Sequence, residues 1–352
     1  MRETGMVSEL DLALVHALQV RPRAAWSELA LALGVTAGTL ARRWERLTAR
    51  GLAWVYAAPG PAFSRSRVTA FVLLRCRLGA REDLAAAIAA FEEAVTVETT
   101  APGSADLLLD VLTPDLASLT RFLTERLSAL DGITAVECLV ATALYTEGSR
   151  WRLRSLDATQ LAALGGPAAG ERQPAPRADR ARPEGRPPPG ADLDALDRVL
   201  LAELAADGRL ELAELAQRAG TSAATVRRRL NRLTGSHLIT FRCDMAPPLT
   251  GLPVAVTFRG RLPARDVNAL HRALAALPEC RLLAAVTGTD NVLATFWLRD
   301  IAEIQRRETS LCTRLPTLTV TDRIIGLHTV KRMGHLLDRD GRRTGTRPVR
   351  PW

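Results

Sequence analysis

Residues 215–233 read LAQRAGTSAATVRRRLNRL. Leu215 and Ala216 close one short apolar pattern, and Gly220 interrupts it. Ser222 can cap a second helix, whose stripe is Val226, Leu230 and Leu233 at helical spacing. Two helices about a glycine turn are a helix-turn-helix arrangement. In that arrangement the second helix enters the major groove of DNA, with its N-terminal residues at base edges. Here that first turn is small and polar, with Ser222, Ala223 and Thr225. Small residues let the backbone approach a groove floor, and hydroxyls at a helix N-terminus suit a phosphate or a base edge. Arg227, Arg228, Arg229 and Arg232 follow and suit phosphates, or guanine O6 and N7.

The same stretch is written twice. Shifted by 186 positions, Leu10–Leu52 aligns without gaps on Leu196–Leu238. Glu28-Leu-Ala meets Glu214-Leu-Ala, Gly34 meets Gly220, and Arg42-Arg43 and Arg46-Leu-Thr meet Arg228-Arg229 and Arg232-Leu-Thr. In the first copy Thr36 caps the recognition helix, and Leu40, Trp44 and Leu47 form its stripe. Its DNA-facing candidates are Thr36, Ala37, Thr39, Arg42, Arg43 and Arg46. The local charge is +3 over Thr36–Arg50 and +4 over Ser222–Ser236.

Each helical module ends in an extended run, Leu52–Ala57 and Leu238–Cys243. Beyond it the pattern alternates strand and helix. In copy one the order is Val68–Cys76, Arg81–Phe91, Ala94–Thr100, Leu107–Leu112, Pro114–Ala129 and Ile133–Leu144; copy two follows it from Val254 to Leu327. That is βαββαβ, the ferredoxin-like order. The expected fold is α+β: two tandem winged helix-turn-helix modules, each followed by a ferredoxin-like sensor domain of RAM type. The expected domains are 8–57, 68–147, 192–243 and 251–332. Gly165–Ala191 is rich in Pro, Gly, Ala and Arg without apolar periodicity, and reads as a disordered linker. The tail 338–352 is also expected to be disordered.

Net charge is +9 over 352 residues, yet the linker and tail carry +2 and +3 of it, so an anionic partner must be argued locally. Lys331 is the only lysine. The five cysteines form no CxxC pair and sit in or beside apolar runs, as free thiols of a reducing compartment do. No metal spacing appears, and neither a P-loop, a nucleophile elbow nor a paired-carboxylate arrangement stands out, so no cofactor, no metal and no enzymatic activity are expected. With no apolar run long enough to span a bilayer and no leader at the N-terminus, a cytoplasmic protein is expected.

Residues 193–209 and 215–233 together resemble the opening helix and helix-turn-helix of the Lrp/AsnC (feast-famine) regulators. The segments after them are similar to that family's ligand-sensing domain. Gly103-Ser-Ala-Asp and Gly288-Thr-Asp-Asn stand where the family has a glycine-and-aspartate turn before the third sensor strand. The resemblance implies a sequence-specific DNA-binding transcriptional regulator that dimerises through its sensor sheets, which a fused pair achieves within one chain. It implies further homo-oligomerisation, and an amino acid or similar small molecule as effector near the sensor turns. On that ground Gly103, Ser104, Asp106, Gly288, Thr289, Asp290 and Asn291 are the candidate effector residues. Three departures stand out. His237 replaces the usual glycine after the recognition helix, Gly38 lies inside the first recognition helix, and Leu107 and Val292 stand where the family has tyrosine.

Two alternatives share the pattern. Sirohaem decarboxylases resemble the same family and would need imidazole or cationic groups in the sensor cleft. His271, His328 and Arg323 are the candidates, none with a counterpart in copy one. The other alternative is a ligand-binding or assembly protein that does not bind DNA. For a regulator, half-sites about 34 Å apart are expected, one DNA turn, in an imperfect palindrome because the two helices differ.

Overall fold

The computed structural model describes residues 7–349 except 147, 149–150, 166–192, 275–276 and 278. The side chains of 248–249, 268 and 271–272 are likewise outside the description. The expected linker lies, but for its first residue, beyond the described residues.

In copy one, α1 (Glu9–Val20), α2 (Trp26–Leu33) and α3 (Ala37–Ala49) precede β1 (Ala53–Pro59) and a short α4 (Pro61–Ser64). Then follow β2 (Val68–Cys76), α5 (Arg81–Ala89), β3 (Ala94–Thr100), β4 (Leu107–Thr113), α6 (Leu116–Arg121) and β5 (Ile133–Thr146). The helix after β4 continues past Arg121 as a wider π turn, Phe122–Leu127. After α7 (Ala158–Ala163), copy two gives α8 (Ala195–Ala206), α9 (Leu212–Arg218), α10 (Ala223–Gly235) and β6 (Ile239–Met245). It continues with β7 (Val254–Arg261), α11 (Val267–Leu274), β8 (Cys280–Val286), β9 (Val292–Leu298), α12 (Glu303–Arg314) and β10 (Thr319–Arg332), then β11 (His335–Leu337) and β12 (Arg343–Thr346).

These elements divide into two units that join like with like. One holds both helical modules, residues 1–66 and 152–245; the other holds both sensors, 67–151 and 246–352.

In the helical unit, the strand leaving each module finds its partner in the other copy. β1 and β6 pair antiparallel from Ala53↔Met245 to Pro59↔Ile239. Ala57 of β1 is thereby buried in the core of copy two's helices, with Leu200, Leu204, Leu215, Val226 and Leu230. Reciprocal arginines reinforce the union. Arg23 donates to the carbonyls of Gly208 and Leu210, and Arg209 donates to those of Pro22 (2.7 Å) and Ala24 (3.0 Å). The two arginines stand 186 positions apart, so the clamp belongs to the repeat itself. A Cβ on Gly208 would lie 2.7 Å from the Tyr56 backbone, so no larger residue fits where β1 passes.

The segment 152–164, unassigned by sequence, also belongs to this unit. His16 Nδ1 accepts from the backbone N–H of Ser155 (3.2 Å) and Leu156 (3.1 Å), and Gln19 Oε1 accepts from that of Leu153 (2.8 Å). Burial first, and Arg152 second, push the His16 pKa down to about 4. The ring is therefore neutral at pH 7, as an acceptor at Nδ1 must be.

Among the described non-glycine residues, His237 and Met333 hold left-handed backbone, and the first has a glycine counterpart in copy one. After α3 the chain turns through Gly51 at φ +63°; at the equivalent place in copy two, exposed His237 holds φ +56°. A side chain in left-handed backbone costs about 1 kcal/mol. His237→Gly is therefore expected to raise stability by about that amount, read as a higher urea midpoint of the full chain. An unchanged midpoint would show that the imidazole offsets the strain.

In the sensor unit, each copy arranges its strands in ferredoxin-like order, β3-β4-β2-β5 and β8-β9-β7-β10. The fourteen-residue last strands, β5 and β10, join the copies. The first half of β5 pairs with β2 and its second half with β8; β10 pairs likewise with β7 and then β3. The result is a closed ring of eight strands with both inter-copy seams made by equivalent strands. Alternation along each strand then makes three apolar layers. Val72, Leu74, Leu109 and Val111 face the helices of copy one, while Phe258, Leu283, Phe296 and Leu298 face those of copy two. Phe71, Leu73, Leu108, Leu139, Ala284, Leu293 and Ile324 fill the ring between them.

The tail departs from its expected disorder. β12 pairs antiparallel with β11, His335↔Thr346, and β11 extends the end of β10. Val349 packs with Val95 and Leu112. The tail lacks a periodic apolar pattern because much of its order comes from backbone pairing of β12 with β11, itself paired on β10.

Candidate nucleic-acid interface and sensor turns

Both recognition helices, α3 and α10, are built alike. The caps Thr36 and Ser222 accept from the N–H of Thr39 (3.2 Å) and Thr225 (3.2 Å). The same hydroxyls bond those of Thr39 and Thr225 at 2.8 and 3.0 Å. The turn before each helix passes through a glycine, Gly34 at φ +66° and Gly220 at φ +62°, a backbone only glycine adopts freely. Leu40, Trp44 and Leu47, and Val226, Leu230 and Leu233, are buried as the apolar stripes.

The arginines divide into two sets. Arg43 Nη1 meets Asp11 at 2.9 Å and Ser8 Oγ at 3.0 Å, and Arg46 Nη2 meets both Asp11 oxygens at 3.1 Å. Asp11 is 1% exposed and also receives the Ser8 N–H (2.9 Å) as the capping box of α1. Burial alone would raise the Asp11 pKa, but the Ser8 N–H and the Arg43 guanidinium outweigh it and hold it below the ordinary value. Copy two repeats this arrangement: Arg229 pairs with Asp194 and Asp197, and Arg232 with a fully buried Asp197. Four of the arginines assigned to DNA by sequence therefore fasten each recognition helix to the first helix of its module. Arginine type and spacing are the same for either role; the signal that separates them is an aspartate 32 and 35 residues upstream.

The remaining set points outward. Arg42, Arg227 and Arg228 are exposed, and no hydrogen bond or ion pair engages their guanidinium groups among the described residues. They share the solvent stripe with Gly38, Ala41 and Glu45 on α3 and with Ala224 and Asn231 on α10. Asn231 and Glu45, absent from the sequence-based candidates, belong to the same face.

The sensor turns also divide. Asp106 Oδ2 accepts from the Cys76 N–H (2.9 Å), and Asn291 makes a two-way bond with the Leu262 backbone (2.9 and 2.8 Å). These two side chains staple the start of the third sensor strand to the end of the first. Asp290 faces Arg259 (3.3 Å) and Arg261 (3.8 Å), and Arg259 forks onto Glu137 of β5 at 2.9 and 2.7 Å. Ser104 donates to Asp322 of β10. Each turn thus touches the last strand of the other copy. Gly103, Gly288 and Thr289 remain exposed.

Two of the three candidates for tetrapyrrole chemistry have partners within the chain. Arg323 forks onto Glu308, His328 Nε2 bonds the Asp338 carbonyl at 2.9 Å, and the His271 side chain is not described.

Paired helix-turn-helix modules in one unit and paired ferredoxin-like domains in another define a class: a helix-turn-helix protein that carries both copies of its two-domain unit within one chain. A family model described as the Lrp/AsnC ligand binding domain matches residues 69–151, and one described as the AsnC-type helix-turn-helix domain matches 7–48 and 193–234. The leucine-responsive regulatory protein of Salmonella typhimurium is 30% identical over 156 residues, 42% of this chain and 93% of that protein. An uncharacterized HTH-type transcriptional regulator of Pyrococcus abyssi is 29% identical over 41% of this chain and 90% of its own length. The chain belongs to the Lrp/AsnC family. Among solved structures, the siroheme decarboxylase NirDL superposes with a TM-score of 0.58 over 92% of this chain and 93% of that one, at 12% identity, a likeness of fold.

Proposed function

We propose that this protein is a sequence-specific, duplex-DNA-binding transcriptional regulator whose single chain supplies both halves of a DNA-reading pair. One observation carries the reading: the β1–β6 ribbon and the Arg23 and Arg209 clamps hold two recognition helices in one unit, which present Arg42 on one and Arg227 and Arg228 on the other with no carboxylate partner among the described residues. Such cations supply the phosphate affinity that any DNA reader needs. Thr36, Ala37, Thr39, Ser222, Ala223 and Thr225 would lie at the groove, and Arg42, Arg227 and Arg228 would make the charged contacts. An amino-acid-like effector would act at the exposed sensor-turn residues Gly103, Ser104, Gly288 and Thr289, beside Asp290. There it would bias how chains assemble in the cytoplasm. The match of residues 69–151 to a ligand-binding family supports that part.

The test is a titration of the full chain against its own upstream intergenic DNA, with unrelated duplex as competitor, at two salt concentrations. Binding that survives competitor, with a linear fall of log affinity against log salt, is the expected result. Binding that competitor abolishes would overturn the reading, and tetrapyrrole binding would then be measured.

A further inference from the structure

The solvent stripes of α3 and α10 occupy equivalent positions but differ in chemistry. Gly38, Ala41, Arg42 and Glu45 on α3 correspond to Ala224, Arg227, Arg228 and Asn231 on α10. All are exposed except Ala41, which is half-buried. Once the arginines held by Asp11, Asp194 and Asp197 are set aside, the α3 stripe carries one positive and one negative charge. The α10 stripe carries two positive charges and none negative.

We propose that the two helices read chemically different half-sites, so that the operator is directional and the chain binds it in one orientation. The inference rests on the DNA-binding reading above. On α10, Arg227 and Arg228 suit phosphate or the O6 and N7 of guanine, and Asn231 suits the N6 and N7 of adenine. This helix carries most of the affinity. On α3, the Glu45 carboxylate repels phosphate and accepts hydrogen bonds; of the two major-groove base donors, cytosine N4 suits it better than adenine N6, which lies beside the N7 acceptor. Glu45 therefore adds discrimination, with Arg42 opposing its charge. No Cβ at Gly38 stands between this face and a groove floor, and nothing lies within 4 Å of where one would be.

The experiment is selection of a randomised duplex pool by the full chain, sequenced after enrichment, for the wild type and two variants. The wild type is expected to enrich two unlike half-sites, one with a defined cytosine and one rich in guanine. The double substitution Ala41→Arg with Glu45→Asn copies the α10 stripe onto α3. It is expected to enrich a near-palindrome of the guanine-rich half, bound at least ten-fold more tightly than by the wild type and with a steeper salt slope. As an independent reading, Arg227→Ala with Arg228→Ala should weaken binding about a hundred-fold, and Arg42→Ala less than ten-fold, with helical content unchanged. A palindrome selected by the wild type, or equal losses from Arg42→Ala and the α10 double variant, would overturn the directional operator and leave DNA binding intact. A wild-type chain that enriches no sequence would overturn the DNA-binding reading, and this inference with it.

Discussion

Replacing Arg43 and Arg46 together with alanine is expected to destabilise the first helical module by about 3 kcal/mol, because it strands a buried carboxylate. Asp11 is 1% exposed, and the two guanidinium groups are its charge partners at 2.9 and 3.1 Å. The Ser8 hydroxyl and N–H stay in place at 2.9 Å each, which keeps the cost at the lower end for a broken buried pair. The reverse change, Asp11→Asn, should cost less. It removes the buried charge, and the arginines, 28% and 48% exposed, can turn to water. The order of the two losses is the diagnostic. Urea unfolding of the full chain gives the sum, and hydrogen exchange of the α1 and α3 amides locates it. A double variant that unfolds like the wild type but binds DNA with a flattened salt slope would return these arginines to the DNA interface.

The sensor ring is expected to lose stability as pH rises from about 4 to 8. Glu98 on β3 and Asp110 on β4 lie on the ring-facing side of their strands, opposite Val97 and Val111. Burial, and after it the charge of Asp110, raise the Glu98 pKa against Arg332 and the Thr329 hydroxyl (3.2 Å), and the balance stands at about 7. Burial likewise raises Asp110 to about 6, against a hydrogen bond from Thr96. The Glu98 carboxylate lies over Gly326 of β10, where a Cβ would sit 2.5 Å from its oxygen, so it is placed at the β3–β10 seam. An acid whose pKa is raised in the folded state binds more protons there than when unfolded. The stability it confers is complete below the unfolded pKa, near 4, and is lost as pH passes through the folded values near 6 and 7. The two carboxyls share part of their shift, so the combined loss is about 3 kcal/mol. Opening free energies of β3, β4 and β10 amides by hydrogen exchange, corrected for intrinsic rates, should fall by that amount between pH 5 and 8. Glu98→Gln with Asp110→Asn should flatten the difference. Equal wild-type values at the two pH values would refute it.

Most of the fold was legible because it is carried by short-range patterns. Apolar residues at spacing three and four mark α1 to α3 and α8 to α10, and alternation marks the sensor strands, so element type follows from local sequence. The repeat at 186 doubled every such signal. Family membership came with the helix-turn-helix motif, whose glycine turn and small, polar cap are local too.

Decisions between groups far apart in the chain were not legible. That β1 pairs with β6, or that β10 closes the ring on β3, depends on edges left open by another copy, and an extended run reads the same whatever edge it meets. The tail reads as unstructured because its order is borrowed from β11, itself paired on β10, through backbone hydrogen bonds. Arg43 and Arg42 are neighbours of one residue type; a helical step of 100° turns one to Asp11 and leaves the other to solvent. The sequence by itself determined which elements form and which residue types stand at the DNA-facing helix. Only the tertiary structure decided which of those arginines are spent on holding the helix in place, because a charge is free or committed according to the carboxylates that folding brings within about 4 Å.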